Sequence, residues 1–213
     1  MPTHRHRAAI LLAAALLAAA PAADELAAGL AGARPAAGLA AQEAPRLPLR
    51  PESRVWVDGT SNKNDWTVKA TELSGFVSLR LGGDALEFGG GSFAVVARRL
   101  VSEHGVIMDR LMQGALKSGT HPNIVYELVS ATATAAGGGK YAVATQGRVT
   151  IAGVTKDVAQ TVAAERLPNG TVRFTGSQPV LMNEFGMSPP TAMFGSLRTG
   201  NRVVVHFELV VKP

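Results

Sequence analysis

The sequence predicts an all-β fold, a single antiparallel β-barrel that carries one short amphipathic helix. Most of the chain from Ser53 onward consists of short runs in which apolar and polar residues alternate, which is the pattern of half-buried strands. Turn sequences separate these runs about every 8–12 residues, as in antiparallel sandwiches and barrels. Hydrophobic residues make up 46% of the chain but aromatic residues only 5%, so the predicted core is mainly aliphatic.

The strand assignments follow this alternation along the chain. Val158–Glu165 and Thr171–Gly176 flank the turn sequence Pro168-Asn169-Gly170, which is typical of a β-hairpin. The glycine pairs and triplets elsewhere lack the lysine and the helix of a phosphate-binding loop, so we interpret them as hairpin loops. The predicted strands span residues 55–57, 66–70, 75–81, 93–97, 124–129, 141–145, 148–151, 158–165, 171–176 and 203–210.

One segment departs from the alternation and predicts a helix over Val106–Ser118. Its apolar residues recur every three or four positions: Met108, Leu111, Met112, Ala115 and Leu116. Gly119 follows the segment at a position suited to a helix C-cap. The Met-Leu face is expected to pack against the barrel or to cap its mouth, where methionine adapts to varied apolar shapes.

Residues 1–23 have the pattern of a secretory signal peptide. A basic start precedes an apolar run over residues 8–20, and small residues follow it. The run is shorter than the roughly 20 residues that a membrane-spanning helix needs. We therefore expect cleavage after Ala22 or Ala23 and a mature protein that is periplasmic or secreted.

Residues 24–52 are predicted to be a disordered tether. They are rich in alanine, glycine and proline, and the prolines at positions 35, 45, 48 and 51 interrupt any long helix. The barrel domain is accordingly predicted to span residues 53–213.

The composition argues against several functional classes. The chain has no cysteine, which excludes disulfides, zinc–thiolate sites and iron–sulfur clusters. Its formal net charge of +5 is spread along the chain without a nucleic-acid-binding motif, so nucleic acid is not an expected partner.

The histidines do not form a predicted metal or catalytic site. His104, His121 and His206 lack the spacing of a metal motif, and His206 alternates with apolar neighbours, so it is predicted to point outward. A hydrolase would have to combine a histidine with Asp109 and Ser118. The sequence has no Gly-x-Ser-x-Gly elbow, however, and Ser118 stands in a turn sequence.

The alternation also predicts which side chains face the barrel interior. A barrel of about eight strands is either filled by its own side chains or hollow enough to hold one small ligand, and alternation alone leaves both open. An apolar loop over residues 185–194 would form either a lid at the mouth or a plug at the closed end. The predicted interior residues are Val68, Phe76, Phe93, Val95, Ile124, Tyr126, Leu128, Val149, Ile151, Val172, Phe174, Met182, Met193, Val203, Val205 and Phe207.

Several sequence blocks follow one another in a distinctive order and spacing. These blocks are Met108-Asp109, Ala115-Leu116-Lys117, His121–Ile124, Gly147–Lys156 and Asn183–Met193, followed by Gly195 and the strand Val203–Val211. Together they resemble the YceI-like family of exported polyisoprenoid-binding proteins. The segment before Asp65-Trp66 departs from the family pattern, because Asn64 stands where a histidine is expected.

The resemblance implies a lipocalin-like antiparallel barrel of about eight strands around one elongated cavity. It also implies non-covalent binding of a polyisoprenoid or an isoprenoid quinone by the interior residues, without catalysis and without any cofactor other than that lipid. An amphiphilic lipid is therefore the expected partner, while transient membrane contact and a homodimer stay open. The alternative is a filled barrel that acts as an interaction or structural protein of the cell envelope.

Overall fold

The computed structural model describes residues 43–213, which form antiparallel strands and one α-helix. The predicted signal peptide and residues 24–42 of the predicted tether lie outside the described residues. The elements are β1 (Arg46–Pro48), β2 (Arg54–Ser61), β3 (Asp65–Ala70), β4 (Leu73–Gly82), β5 (Ala85–Val96), β6 (Leu100–Ser102), α1 (Val106–Ala115), β7 (Asn123–Gly137), β8 (Lys140–Ile151), β9 (Val154–Arg166), β10 (Val172–Leu181), β11 (Thr191–Ala192) and β12 (Leu197–Val211).

The sheet closes into a barrel because two long, bent strands each contribute one segment to either end of the sheet. Its hydrogen-bonded order is β1-β4-β5-β7-β8-β9-β10-β12-β2-β3-β6. Strand β3 runs on into β4, and β5 runs on into β6 through a 3-10 turn over Ala97–Arg99. Across the bend, the Thr71 N–H donates to the Arg99 carbonyl at 2.9 Å. The β4–β5 and β3–β6 ladders are therefore two halves of one strand pair, and the path returns to its start after eight strands.

This arrangement confirms the predicted fold class, a lipocalin-like antiparallel barrel with one short helix. The short segments β1 and β11 are additions to the eight-stranded circuit: β1 pairs with β4, and β11 pairs with β12.

The ordered chain begins earlier than the predicted boundary at residue 53. Leu47 in β1 is buried and pairs with Val77, which corrects the end of the predicted tether. The two residues after β1 connect β4 to β12. The Leu49 N–H donates to the Gly75 carbonyl in β4, and the Arg50 N–H donates to the Val210 carbonyl in β12. Pro45 precedes β1 and Pro48 is its last residue, and an edge strand tolerates proline because some of its N–H groups need no partner.

The hairpins have the turn geometry that their residues favour. Ala152 and Gly153 connect β8 to β9 with φ of 50° and 86°, which is the two-residue turn that matches the strand twist. Between β9 and β10, the Asn169 Oδ1 accepts hydrogen bonds from both the N–H and the hydroxyl of Thr171, at 3.0 and 2.7 Å.

The helix ends three residues earlier than the sequence predicts. The residue with left-handed conformation after α1 is Lys117, with φ of 51°, and not the predicted capping glycine Gly119. The Ser118 N–H then bonds the Gln113 carbonyl and the Lys117 N–H bonds the Gly114 carbonyl, both at 3.0 Å. These two bonds satisfy carbonyls at the end of the helix in the Schellman pattern.

Candidate functional site

The barrel encloses two adjoining cavities. The inner cavity, of about 180 Å³, is lined by strand residues and by Leu49. The outer cavity, of about 380 Å³, is also lined by α1 and by the loop that contains Met187, Pro190 and Met193. The same side chains border both cavities and form a waist between them: Val55, Val95, Ile124, Ile151, Val180 and Val205.

The lining of both cavities is largely aliphatic and uncharged. Among the described residues, no lysine, arginine, aspartate or glutamate lines either cavity, and His104 in the outer cavity is the one titratable imidazole. The interior is therefore suited to an apolar guest, because burying a charge without a partner in such a lining would cost far more than burying a hydrocarbon.

The helix and the Met-rich loop cover the outer cavity from one side. Met108 and Met112 on α1 line it, as does Leu116 directly after the helix, and Met112 and Leu116 also pack against the core that contains Leu100. The Asp109 Oδ1 accepts the Ser102 N–H at 2.8 Å, which ties the helix to β6. The predicted Met-Leu face thus both packs on the barrel and covers its cavity.

The inner cavity carries a short polar strip in an otherwise apolar wall. Tyr126, Thr145, Gln160 and Gln178 line it. The Thr145 hydroxyl donates to the Gln160 carbonyl at 3.0 Å, and the Gln178 Nε2 donates to the Pro179 carbonyl at 3.2 Å. The Tyr126 hydroxyl and the Gln160 Oε1 are buried and have no hydrogen-bond partner.

The wall beside this strip is open between β9 and β10. These strands pair only from Val172–Arg166 to Thr175–Ala163, whereas the β8–β9 ladder runs the full length of both strands. Gln160 and Gln178 therefore lie on the two sides of a stretch where, in the described residues, no backbone ladder joins the strands.

Most of the predicted interior residues line a cavity. The residues that line the inner cavity alone are Phe93, Tyr126, Leu128, Val149, Phe174 and Phe207. Those that line the outer cavity alone are Val68, Met182, Met193 and Val203. Those at the waist are Val95, Ile124, Ile151 and Val205. Their contact with a ligand stays a prediction.

Two predicted residues lie elsewhere. Phe76 is on the outer face of the barrel, where the Arg46 guanidinium lies 4.7 Å from its ring centroid, and its neighbour Val77 points inward instead. Val77 is in phase with Leu79 and Leu81 along the strand, whereas Phe76 is in phase with the polar residues Ser78 and Arg80, so the full alternation favours Val77 for the interior. Val172 is fully buried in the core but lines neither cavity, because neighbouring side chains fill the space around it.

Sequence reasoning missed other lining residues that carried a signal. Trp66 precedes Val68 by two positions, so strand alternation places both on the inner face, and both line the outer cavity. Gln160 stands between Val158 and Val162 in the same alternation, but its polarity argued against an interior position. The loop residue Met187 has no periodic signal, since it follows a 3-10 turn.

The groups considered for catalysis or metal binding are dispersed. The His206 Nε2 lies 3.1 Å from the Asp58 Oδ2 on the outer face, the direction predicted for it. His121 packs over Gly153 at the β8–β9 turn. The described residues contain no group of three or more histidines and acids arranged to hold a metal ion. Within the same residues, no helix is long and apolar enough to cross a membrane.

An apolar rim, formed by Val106, Ile107, Met193 and Phe194, lies beside the outer cavity. The first three side chains are about 70% exposed, and Phe194 is fully exposed. Met193 lines the cavity itself, as does Met108, which follows Ile107 in the chain. Met193 and Phe194 hold φ near 50°, a conformation that bulky side chains rarely adopt, so the loop keeps Phe194 in solvent at some cost in strain.

The sequence matches the model of the YceI-like domain over residues 53–211. The chain belongs to the YceI-like family. A comparison with curated protein sequences finds no significant match.

Solved structures share this YceI-like fold. A polyisoprenoid binding domain from Saccharophagus degradans superposes with a TM-score of 0.59 at 12% identity, covering 78% of this chain and 97% of that one. BcnA from Burkholderia cenocepacia gives 0.56 at 17% identity, covering 74% and 95%. The YceI protein of Campylobacter jejuni gives 0.50 at 15% identity, covering 68% and 84%. At these identities the likeness concerns the fold.

Proposed function

We propose that the protein binds a long apolar or amphiphilic lipid, such as a polyisoprenoid or an isoprenoid quinone, inside its barrel without catalysing a reaction. The observation that carries the proposal is the pair of adjoining, uncharged cavities lined by aliphatic side chains. Their shared waist suits an elongated guest that passes from one cavity into the other.

The hydrophobic effect supplies the affinity for such a guest. Each Å² of apolar surface removed from water contributes about 25 cal/mol, so a tail that buries a few hundred Å² gains several kcal/mol. Ordering the flexible tail cancels part of that gain. The aliphatic lining asks for few specific contacts, which fits a chain of repeated isoprene units.

The fold neighbours support the same class of ligand. One of them is described as a polyisoprenoid binding domain, and the family match covers almost the whole barrel of this chain. An apolar, internally hollow barrel gives this chain the property that such a ligand requires.

We further propose that the protein is an exported carrier that exchanges its ligand at a lipid surface. The basic and apolar start of the sequence supports export to the periplasm or the medium. The apolar rim with Ile107 and Phe194 lies beside the outer cavity, so a lipid passing from a bilayer into the barrel there would stay in apolar surroundings.

The direct test is to isolate the ligand. The chain from Asp24 onward is purified without detergent and extracted with organic solvent, and the extract is examined by mass spectrometry. We expect a stoichiometric isoprenoid or related lipid. An empty extract, repeated after incubation with an isoprenoid quinone, would contradict the proposal and favour the filled-barrel interaction protein.

A pair of tryptophan variants tests whether the ligand lies in the barrel. Val205→Trp places a large ring at the waist, while Val204→Trp places the same ring on the outer face of the same strand. We expect Val205→Trp to lose the copurified lipid and to remain folded, because the ring fills existing space. Retention of lipid in Val205→Trp at the level of Val204→Trp would place the ligand outside the barrel.

A further inference from the structure

Two buried oxygens in the inner cavity lack the hydrogen bonds that buried polar groups normally make. They are the Tyr126 hydroxyl and the Gln160 Oε1. Most buried polar side-chain atoms in proteins have a partner, and one without a partner costs free energy. Both residues line a cavity whose other lining side chains are apolar except for Thr145 and Gln178.

The strand register brings these two groups to the same part of the wall. Tyr126 on β7 crosses β8 at Gly147, where its ring and hydroxyl occupy the place that a side chain would take. Gly147 pairs with Val158 on β9, and the next inward pair along these strands is Thr145 with Gln160. The hydroxyl thus points toward β9 and is a diagonal neighbour of Gln160.

Two donors in the same polar strip already have partners. The Thr145 hydroxyl donates to a backbone carbonyl, as does the Gln178 amide nitrogen. The tyrosine hydroxyl can donate and accept, and the glutamine oxygen accepts. The unpartnered Tyr126 hydroxyl can therefore donate to a carbonyl or hydroxyl oxygen of the ligand. A ligand hydroxyl could in addition donate its own hydrogen to the Gln160 Oε1.

Residues 43–213 place no cation in the inner cavity that could neutralise an anion. Within this range no lysine, arginine or histidine lines it, and an uncompensated phosphate or carboxylate would be costly there. The matching group is consequently an uncharged oxygen, either a carbonyl or a hydroxyl.

We propose that Tyr126 and Gln160 form a recognition site for a neutral carbonyl or hydroxyl oxygen of the ligand, deep in the inner cavity. This inference rests on the lipid-binding function proposed above. The helix and the Met-rich loop line only the outer cavity, so the polar end of the ligand lies away from them and its apolar tail lies toward them. The protein accordingly selects neutral oxygenated isoprenoids over pure hydrocarbons and over anionic lipids.

A matched pair of probes isolates the contribution of one oxygen. Phytone and pristane share a branched isoprenoid chain, and the carbonyl oxygen of phytone stands where pristane has a methyl group. Pristanic acid adds a carboxylate to the same skeleton. Dissociation constants are measured by displacement of a neutral fluorescent probe from the full mature chain.

The variants are Tyr126→Phe and Gln160→Met, and the control is Tyr141→Phe. Tyr141 is also buried in β8 but lines neither cavity. The quantity compared is the ratio of the pristane to the phytone dissociation constant, because this ratio cancels general changes in cavity shape. The carbonyl stretching band of bound phytone reports the hydrogen bond directly.

We expect Tyr126→Phe to lower this ratio about tenfold and to shift the carbonyl band to the frequency of a free ketone. Tyr141→Phe should leave both unchanged, and pristanic acid at neutral pH should bind more weakly than phytone. An unchanged ratio and an unshifted band in Tyr126→Phe would overturn the inference while leaving lipid binding intact. Failure of the wild-type protein to bind either probe would instead contradict the proposed function.

Discussion

Three glycines leave room for aromatic rings that extend over them from a neighbouring strand. A side chain at Gly147 would collide with Tyr126, one at Gly59 with Trp66 and one at Gly176 with Phe207. All three aromatic residues line a cavity. Since strand interiors disfavour glycine, its presence here has a packing reason, namely that each ring lies against a neighbouring strand instead of filling the cavity.

A methyl group at Gly147 should destabilise the barrel. We expect Gly147→Ala to lower the free energy of unfolding by about 1–3 kcal/mol, because overpacking forces the Tyr126 ring from its place. Urea unfolding followed by circular dichroism measures the change.

Gly114→Ala is the control of opposite sign. Gly114 is exposed on α1 and nothing lies where its side chain would be, so alanine should stabilise the helix by about 0.5–1 kcal/mol. Equal stabilities of the Gly147→Ala variant and the wild type would show that the ring has room to move.

Two elements, β1 and α1, are not part of the eight-stranded circuit but pack against it. Strand β1 contributes Leu47 to the core beside Val77 and Leu79. Helix α1 covers the outer cavity and is held to β6 by the bond between Asp109 and the Ser102 N–H. The first is therefore expected to affect stability, and the second to affect ligand exchange.

Removal of the β1 anchor should weaken the folded state. Leu47→Ala is expected to cost about 2–4 kcal/mol in the free energy of unfolding, since Leu47 is 8% exposed and its neighbours cannot fill the space. Chemical denaturation is the measurement. Arg46→Ala, on the opposite face of β1, should change stability by less than about 1 kcal/mol. A similar small effect for Leu47→Ala would mean that β1 is dispensable.

Release of the helix should speed ligand exchange. Asp109→Ala removes the acceptor that holds α1 to Ser102, so the helix should open more often and the dissociation rate of a bound fluorescent lipid should rise severalfold. Stopped-flow displacement gives this rate. Arg110→Ala alters the adjacent exposed position and should leave the rate unchanged. A dissociation rate in Asp109→Ala equal to that of wild type would argue that the ligand leaves by another route.

At the scale of the whole molecule, the most exposed large apolar side chains of the described residues form the rim beside the outer cavity. Exposed apolar residues that occur singly are ordinary on protein surfaces, whereas a group beside a cavity marks a binding surface. Val129 on β7 is an isolated case, and Ile107 and Phe194 belong to the rim.

The rim should govern loading from membranes. Phe194→Ser and Ile107→Ser are expected to slow the transfer of a fluorescent isoprenoid from neutral phospholipid vesicles, because the apolar contact with the bilayer is lost. The time course of energy transfer from labelled vesicles measures loading. Val129→Ser is the control, because it removes an exposed apolar side chain that lines neither cavity. Equal loading rates for all three variants would remove the rim from the mechanism.

The sequence predicts the barrel and most of its interior well because strand alternation is a local property. Val203, Val205 and Phe207 face inward as their alternation requires. Alternation along β4 also places Val77 inward with Leu79 and Leu81, so the outward direction of Phe76 follows from the sequence as well. The strand Arg46–Pro48, by contrast, depends on a long-range contact, because its identity comes from pairing with β4 and not from its own residues.

The division of the interior into two cavities has no local signal either. The waist is formed by single residues from strands far apart in sequence, such as Val55, Ile124 and Val205. Strand alternation by itself would have placed Gln160 of the polar strip in the interior, between Val158 and Val162. The expectation that polar side chains face solvent excluded it from the predicted interior.

The short ladder between β9 and β10 allows the circumference of the barrel to vary. A wall that is hydrogen-bonded all the way round has a fixed circumference, so a wider guest must break backbone bonds to enter. Here the strands part beyond Ala163 and Thr175, and they can spread without losing any ladder bond. We therefore expect guests that differ in thickness, such as a slim polyprenyl chain and a broad ring at its end, to fit the same barrel at little elastic cost.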